Sequence, residues 1–90
     1  LAEMTLDALG HEILAEKAAA LGRAGRKAEY CLARLREHEG EADARKALLR
    51  EAADAVYNWF VQRELCGFRR HHDVIRDYAI PNEVLAAGAK

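Results

Sequence analysis

Ala52–Gly67 reads AADAVYNWFVQRELCG and is the densest apolar stretch of the chain, holding the single Trp, one of the two Phe, one of the three Tyr and one of the two Cys. Wound as a helix at 100° per residue, Leu49, Ala52, Ala53, Val56, Tyr57, Trp59, Phe60 and Val61 cover roughly 220° of its circumference. An ordinary one-sided surface helix presents an apolar face of about 100°. A helix so broadly apolar needs cover from two directions. Glu51, Asp54, Asn58 and Gln62 form the polar wedge that remains. The fold therefore turns on what flanks this segment.

The first flank lies upstream. Thr5 is a plausible N-cap, with Asp7 in the first turn, and a helical pattern runs from there to about residue 38. Leu14, Ala18, Leu21, Gly25, Ala28, Leu32 and Leu35 keep the alternating four-three spacing of a coiled-coil seam. Leu6, Leu9 and Ile13 form a second, rotated stripe near the start. Gly22 and Gly25 each cost a helix about 1 kcal/mol relative to Ala. The apolar spacing passes through them without a change of phase, and no Pro, Asn or Ser accompanies them, so the helix is expected to be continuous.

Gly40 reads as the glycine closing that helix, and a second helix is expected over about 42–66 with Gly67 closing it in turn. A short turn at Gly40 makes the two antiparallel, with facing residue numbers summing to about 81. Gly22 then faces Trp59, Leu21 faces Phe60 and Gly25 faces Val56, so large side chains meet small ones. Leu at either Gly22 or Gly25 would overpack this seam. Lys17–Glu64 and Lys27–Asp54 are the expected flanking ion pairs. Cys31 and Cys66 fall roughly 24 Å apart along the hairpin, beyond the reach of a disulfide.

A third helix over about 68–78 ends before Ile80-Pro81, because the residue before Pro disfavours the helical region. One more turn over 81–86 has Pro81 at or near its first position. The expected fold is all-α and a single domain over residues 1–90: a long antiparallel helical hairpin plus a short third helix, dimerising into a helical bundle. The third helix is expected near the Leu6–Leu14 end, which leaves the arc around Val56–Val61 for a second subunit. The residues of this core and interface are Gly22, Gly25, Val56, Tyr57, Trp59, Phe60 and Val61.

Composition restricts function more than it specifies it. In 90 residues, 14 Lys and Arg balance 15 Asp and Glu for a net charge of −1, which gives no global field to attract nucleic acid or an anionic membrane. No apolar run is long enough to cross a bilayer and no signal-peptide pattern opens the chain. Leu1 in place of an initiator Met implies residues upstream. Two Cys in a helical chain point to reduced thiols in a cytoplasm.

The chemical constellations read blandly. His71 and His72 are adjacent and project about 100° apart, and neither has a ligand three or four residues away. No HExxH, Glu-x-x-His or Cys-x-x-Cys motif occurs, so no metal or other cofactor is expected. Thr5 is the only hydroxyl besides the tyrosines, which starves a nucleophilic site of parts. Arg50-Glu51 early in the second helix resembles the helical chorismate mutases in that pair alone, and the rest of their pattern is missing.

A broader likeness is carried by HEILAEKAAALGRAGRK (residues 11–27), VQRELCGF (61–68) and VIRDYAIPNEVL (74–85). These segments resemble short proteobacterial proteins grouped as a domain of unknown function, and the likeness runs from about Leu6 to Leu85. It implies an all-helical bacterial protein and assigns no catalytic residue. The sequence is read as a non-enzymatic, homodimeric interaction module. Its candidate partner surface is Phe68, Arg69, Arg70, His71, His72 and Asp73. The alternative is a nucleic-acid-associated or regulatory protein using Arg23, Arg26 and Lys27 with Arg69 and Arg70.

Overall fold

The computed structural model describes the backbone of residues 2–88 and the side chains of 7–88. Helix α1 spans Ala2–Glu37 without a break, so the glycines do not divide it. It begins before Thr5, which therefore lies within the helix instead of capping it; that side chain is outside the described residues. Gly40 adopts φ +134° and turns the chain into α2, Ala42–Leu65. The pair forms the expected antiparallel hairpin, 62 Å in its longest dimension.

The hairpin register differs from the expected one by about one helical turn, three to four residues. Trp59 packs over Gly25, where an added Cβ would lie 3.1 Å from its Nε1. Arg34 pairs with Glu51 at 2.8 Å. Helical side chains lean toward the N-terminus of their own helix. In an antiparallel pair both leans raise the numbers of the residues that touch, which is the direction of the shift. The expected Gly22–Trp59, Lys17–Glu64 and Lys27–Asp54 pairings are displaced accordingly. Gly22 faces only the Arg26 guanidinium of its own helix.

The two glycines therefore have opposite consequences. Gly22→Ala is expected to stabilise the protein by up to about 1 kcal/mol through helix propensity, since its only neighbour is a flexible tip. Gly25→Ala should lose that gain, because the Trp59 ring is held against Tyr78 with centroids 4.9 Å apart and cannot give way freely. Denaturant melts of the two variants should move in different directions or by clearly different amounts.

The second flank of α2 is intramolecular. Cys66 ends α2, and Gly67, at φ +98°, completes a Schellman turn with Phe68 N–H donating to the Arg63 carbonyl at 2.9 Å and Gly67 N–H to Glu64 at 3.0 Å. The chain then doubles back along the hairpin. Helix α3 occupies only His72–Asp77, shorter than the expected 68–78 because the Schellman turn uses Phe68 and the Arg70 carbonyl and His71 ring are bonded to Arg63, as described below. A second Schellman turn follows, with Ile80 N–H donating to the Ile75 carbonyl at 2.9 Å and Ala79 at φ +50°, a left-handed position without a glycine. Pro81 precedes α4, Asn82–Gly88. Its carbonyl accepts from Val84 N–H at 3.0 Å, so it caps the helix from outside.

α4 lies on α2 so closely that a Cβ added at Gly88 would stand 3.5 Å from the Ala53 carbonyl, and Val84 is buried. The core is one cluster in which Ala24, Ala28, Leu32 and Leu35 of α1 meet Ala52, Val56 and Trp59 of α2, closed by Val74, Ile80 and Val84. The surplus arc of α2 is thus covered by the chain's own C-terminal segment. The expectation that the third helix packs near Leu6–Leu14, leaving that arc to a second subunit, is corrected. Arg36 donates to the Tyr78 carbonyl and Arg45 pairs with Glu83, fastening the returning segment to the closed end of the hairpin.

Candidate interaction surface

Arg63 organises the α2–α3 connection. Its side chain is buried on α2, and its guanidinium reaches back over the turn. Nε–H donates to His71 Nδ1 at 3.0 Å, and Nη2 donates to the Arg70 carbonyl at 3.1 Å and to Asp73 Oδ1 at 3.4 Å. Its plane also lies under the Phe68 ring, 4.9 Å from the centroid. A planar fork with several donors can satisfy these acceptors together; a lysine ammonium could not. These bonds hold residues 69–71 out of a helix.

His71 completes the cluster. Its ring stacks on Phe60 at 4.2 Å with planes 2° apart, and Nε2–H donates to Glu64 at 2.9 Å. Both ring nitrogens are therefore occupied, one accepting and one donating. A general base needs a free nitrogen within reach of substrate, and His71 has none. Of the candidate partner residues, His71 is thus a structural element, while Phe68, Arg69, Arg70, His72 and Asp73 are exposed. Among the described residues no three His, Cys, Asp or Glu side chains converge as metal ligands.

A groove of about 470 Å³ runs between α1 and α2, with Lys27 and Arg34 on one wall and Glu51 and Asp54 on the other. Arg34–Glu51 bridges it, so Glu51 faces α1 across the groove. Cys31 is at its floor, buried. Burial pushes the Cys31 thiol above its ordinary value, and the nearby Glu51 carboxylate adds to this while Lys27 and Arg34 oppose it. Such a thiol stays protonated and is a poor nucleophile. Cys31 and Cys66 are both free, as expected from their spacing. The Cys66 thiol lies 3.8 Å from the Lys17 carbonyl.

That Cys66–Lys17 contact marks where α2 ends beside α1. Beyond it the first 15 or so residues of α1 project as an arm of roughly 22 Å at 1.5 Å per residue. Leu9, Ile13 and Leu14 are 52, 56 and 64 % exposed, and at the adjoining end of α2 Leu65 and Phe68 are 60 and 50 % exposed. By contrast Val56 and Trp59 are buried and Phe60 and Val61 half-buried, while Tyr57 alone of that group is exposed. The exposed aliphatic side chains thus gather on the arm and at the end of α2 beside it, while Tyr30 and Tyr57 are exposed elsewhere on the hairpin. The apolar stripe of Leu6, Leu9 and Ile13 was the arm's sequence signal; Arg63 had none, since an Arg on a long helix reads as solvated.

No helix among the described residues is long and apolar enough to cross a membrane. No curated protein matches the chain, and no solved structure does. The model of a family of unknown function, DUF6665, matches residues 2–89, and the chain belongs to that family.

Proposed function

We propose that this protein is a non-enzymatic, homodimeric interaction module of the bacterial cytoplasm. The observation that carries this reading is the α1 arm: a projecting helix with exposed Leu9, Ile13 and Leu14. The arm has no tertiary packing to hold it and Gly10 weakens it, so cover of its apolar face by a partner would stabilise it. Absence of catalysis is supported by the saturated His71 ring and the protonated Cys31 thiol. The cytoplasmic address is supported by two unpaired thiols, and the bacterial origin by the sequence resemblance.

Nucleic acid is the weaker reading. Arg23 is paired with Glu16 at 3.2 Å, which thins the patch on α1, and the overall charge of −1 supplies no field toward phosphate. Sedimentation equilibrium is expected to give a dimer at micromolar concentration, with no retention of duplex or single-stranded DNA or RNA at physiological salt. A monomer at high micromolar concentration would refute the dimeric reading, and binding that weakens steeply with salt would replace it with the nucleic-acid one.

A further inference from the structure

We infer that two copies join through their α1 arms, antiparallel, each arm lying in line with the α2 of the other copy. This rests on the dimeric reading above and specifies its surface. On a helix at 100° per residue, Gly10, Ile13 and Leu14 fall on the face that carries Ala24, Ala28, Cys31 and Leu35. In the hairpin that face is covered by α2. Past Cys66 the cover stops and the face continues bare.

A helix antiparallel to the arm prolongs the line of α2, and the arm of a second copy offers it the same bare apolar face. A two-fold axis beside Gly10, the smallest residue of that face, sets Ile13 of each copy in the seam. Gly10 has no non-local atom within 4 Å of where a Cβ would stand, which leaves room for a close approach at the axis.

Charge favours the same occupant. Asp7 is the charged residue among the described residues on the half of the arm that would approach the other copy's turn. The turn that the incoming N-terminus meets is basic: Arg69 and Arg70 are exposed there and form no ion pair among the described residues, whereas Glu64 and Asp73 are engaged with His71 and Arg63. Leu65 and Phe68 then become part of a shared apolar end.

The test uses the full-length chain with Cys66→Ser, leaving Cys31 buried. Gly10→Cys is expected to form a disulfide-linked dimer under mild oxidation, and Ala8→Cys, on the opposite face, is not. Ile13→Glu should weaken dimerisation about a hundredfold by placing an unpaired charge in the seam, with the thermal melt of the hairpin body retained. Reversing Arg69 and Arg70 to Glu together should weaken it about tenfold at low salt and less at high salt, with recovery on adding Asp7→Lys. A wild-type monomer would overturn the dimeric reading itself. A wild-type dimer that survives Ile13→Glu, or equal crosslinking at positions 8 and 10, would overturn the arm arrangement alone.

Discussion

Trp59→Ala is expected to cost about 3–5 kcal/mol, the range for removing a buried aromatic from a packed core. Trp59 is 5 % exposed, lies against the bare backbone at Gly25 and meets Tyr78 edge-on. It thus touches all three parts of the protein: α1, its own helix and the returning C-terminal segment. A domain of this size is stable by roughly 5–13 kcal/mol, so one substitution removes a large share. Each kcal/mol moves the melting temperature of such a domain by about 4–8 °C, and a fall of more than about 12 °C is expected. Tyr57→Ala, two residues away but 59 % exposed, should cost about 1 kcal/mol or less. Equal losses at the two positions would contradict the packing described.

The second large effect is expected at Arg63. Arg63→Met keeps the length of the side chain and removes its donors. The Arg70 carbonyl and the part-buried His71 Nδ1 then lose their partner, and Phe68 loses the plane beneath it. Hydrogen bonds involving a charged group contribute about 1.5–3 kcal/mol each. The bridge to Asp73 adds little, because that carboxylate is largely exposed and screened. A total loss of about 2–4 kcal/mol is expected. The loss should be local first: residues 69–71 are fastened mainly by this one side chain, so trypsin should cleave after Arg69 and Arg70 faster in Arg63→Met than in the native protein. Arg63→Lys should recover only part of the stability, since an ammonium cannot reach the same acceptors in one plane. Native-like protease resistance in Arg63→Met would show that the turn is held by something else.

These two sites mark where the sequence was legible and where it was not. The hairpin was legible because its signals are local. A 3.6-residue apolar period, glycines at 40 and 67, and Pro81 specify helix, stop and restart with little reference to the rest of the chain. The continuity of α1 through Gly22 and Gly25 followed from unbroken phase. The Gly67 closure was read correctly for the same reason, since its Schellman bonds involve only neighbours in sequence.

The choice between Gly22 and Gly25 as the partner of Trp59 was not legible. It depends on how side chains lean in a specific antiparallel pair, and a shift of one turn exchanges one glycine for the other while preserving the pattern. The course of residues 68–71 was also hidden. Helix propensity favours continuing there, and the opposing bonds come from Arg63 across a turn. Of the candidate partner residues, Phe68, Arg69, Arg70, His72 and Asp73 are exposed, whereas His71 is committed to Phe60, Arg63 and Glu64.

What the sequence by itself determined is the set of helices and the need of Ala52–Gly67 for cover on two sides, because burial demand is a property of composition and period. What only the tertiary structure decided is which surface supplies the second cover. The residues after Gly67 could run outward along the α1 arm or back along α2. Arg36 and Arg45 fasten them to the closed end, and Val84 and Ile80 fill the space beside Val56 and Trp59. Covering α2 in this way uncovers the arm. Residues 68–88 cannot lie along both, and the apolar surface they leave bare moves from Val56–Val61 to Leu9–Leu14.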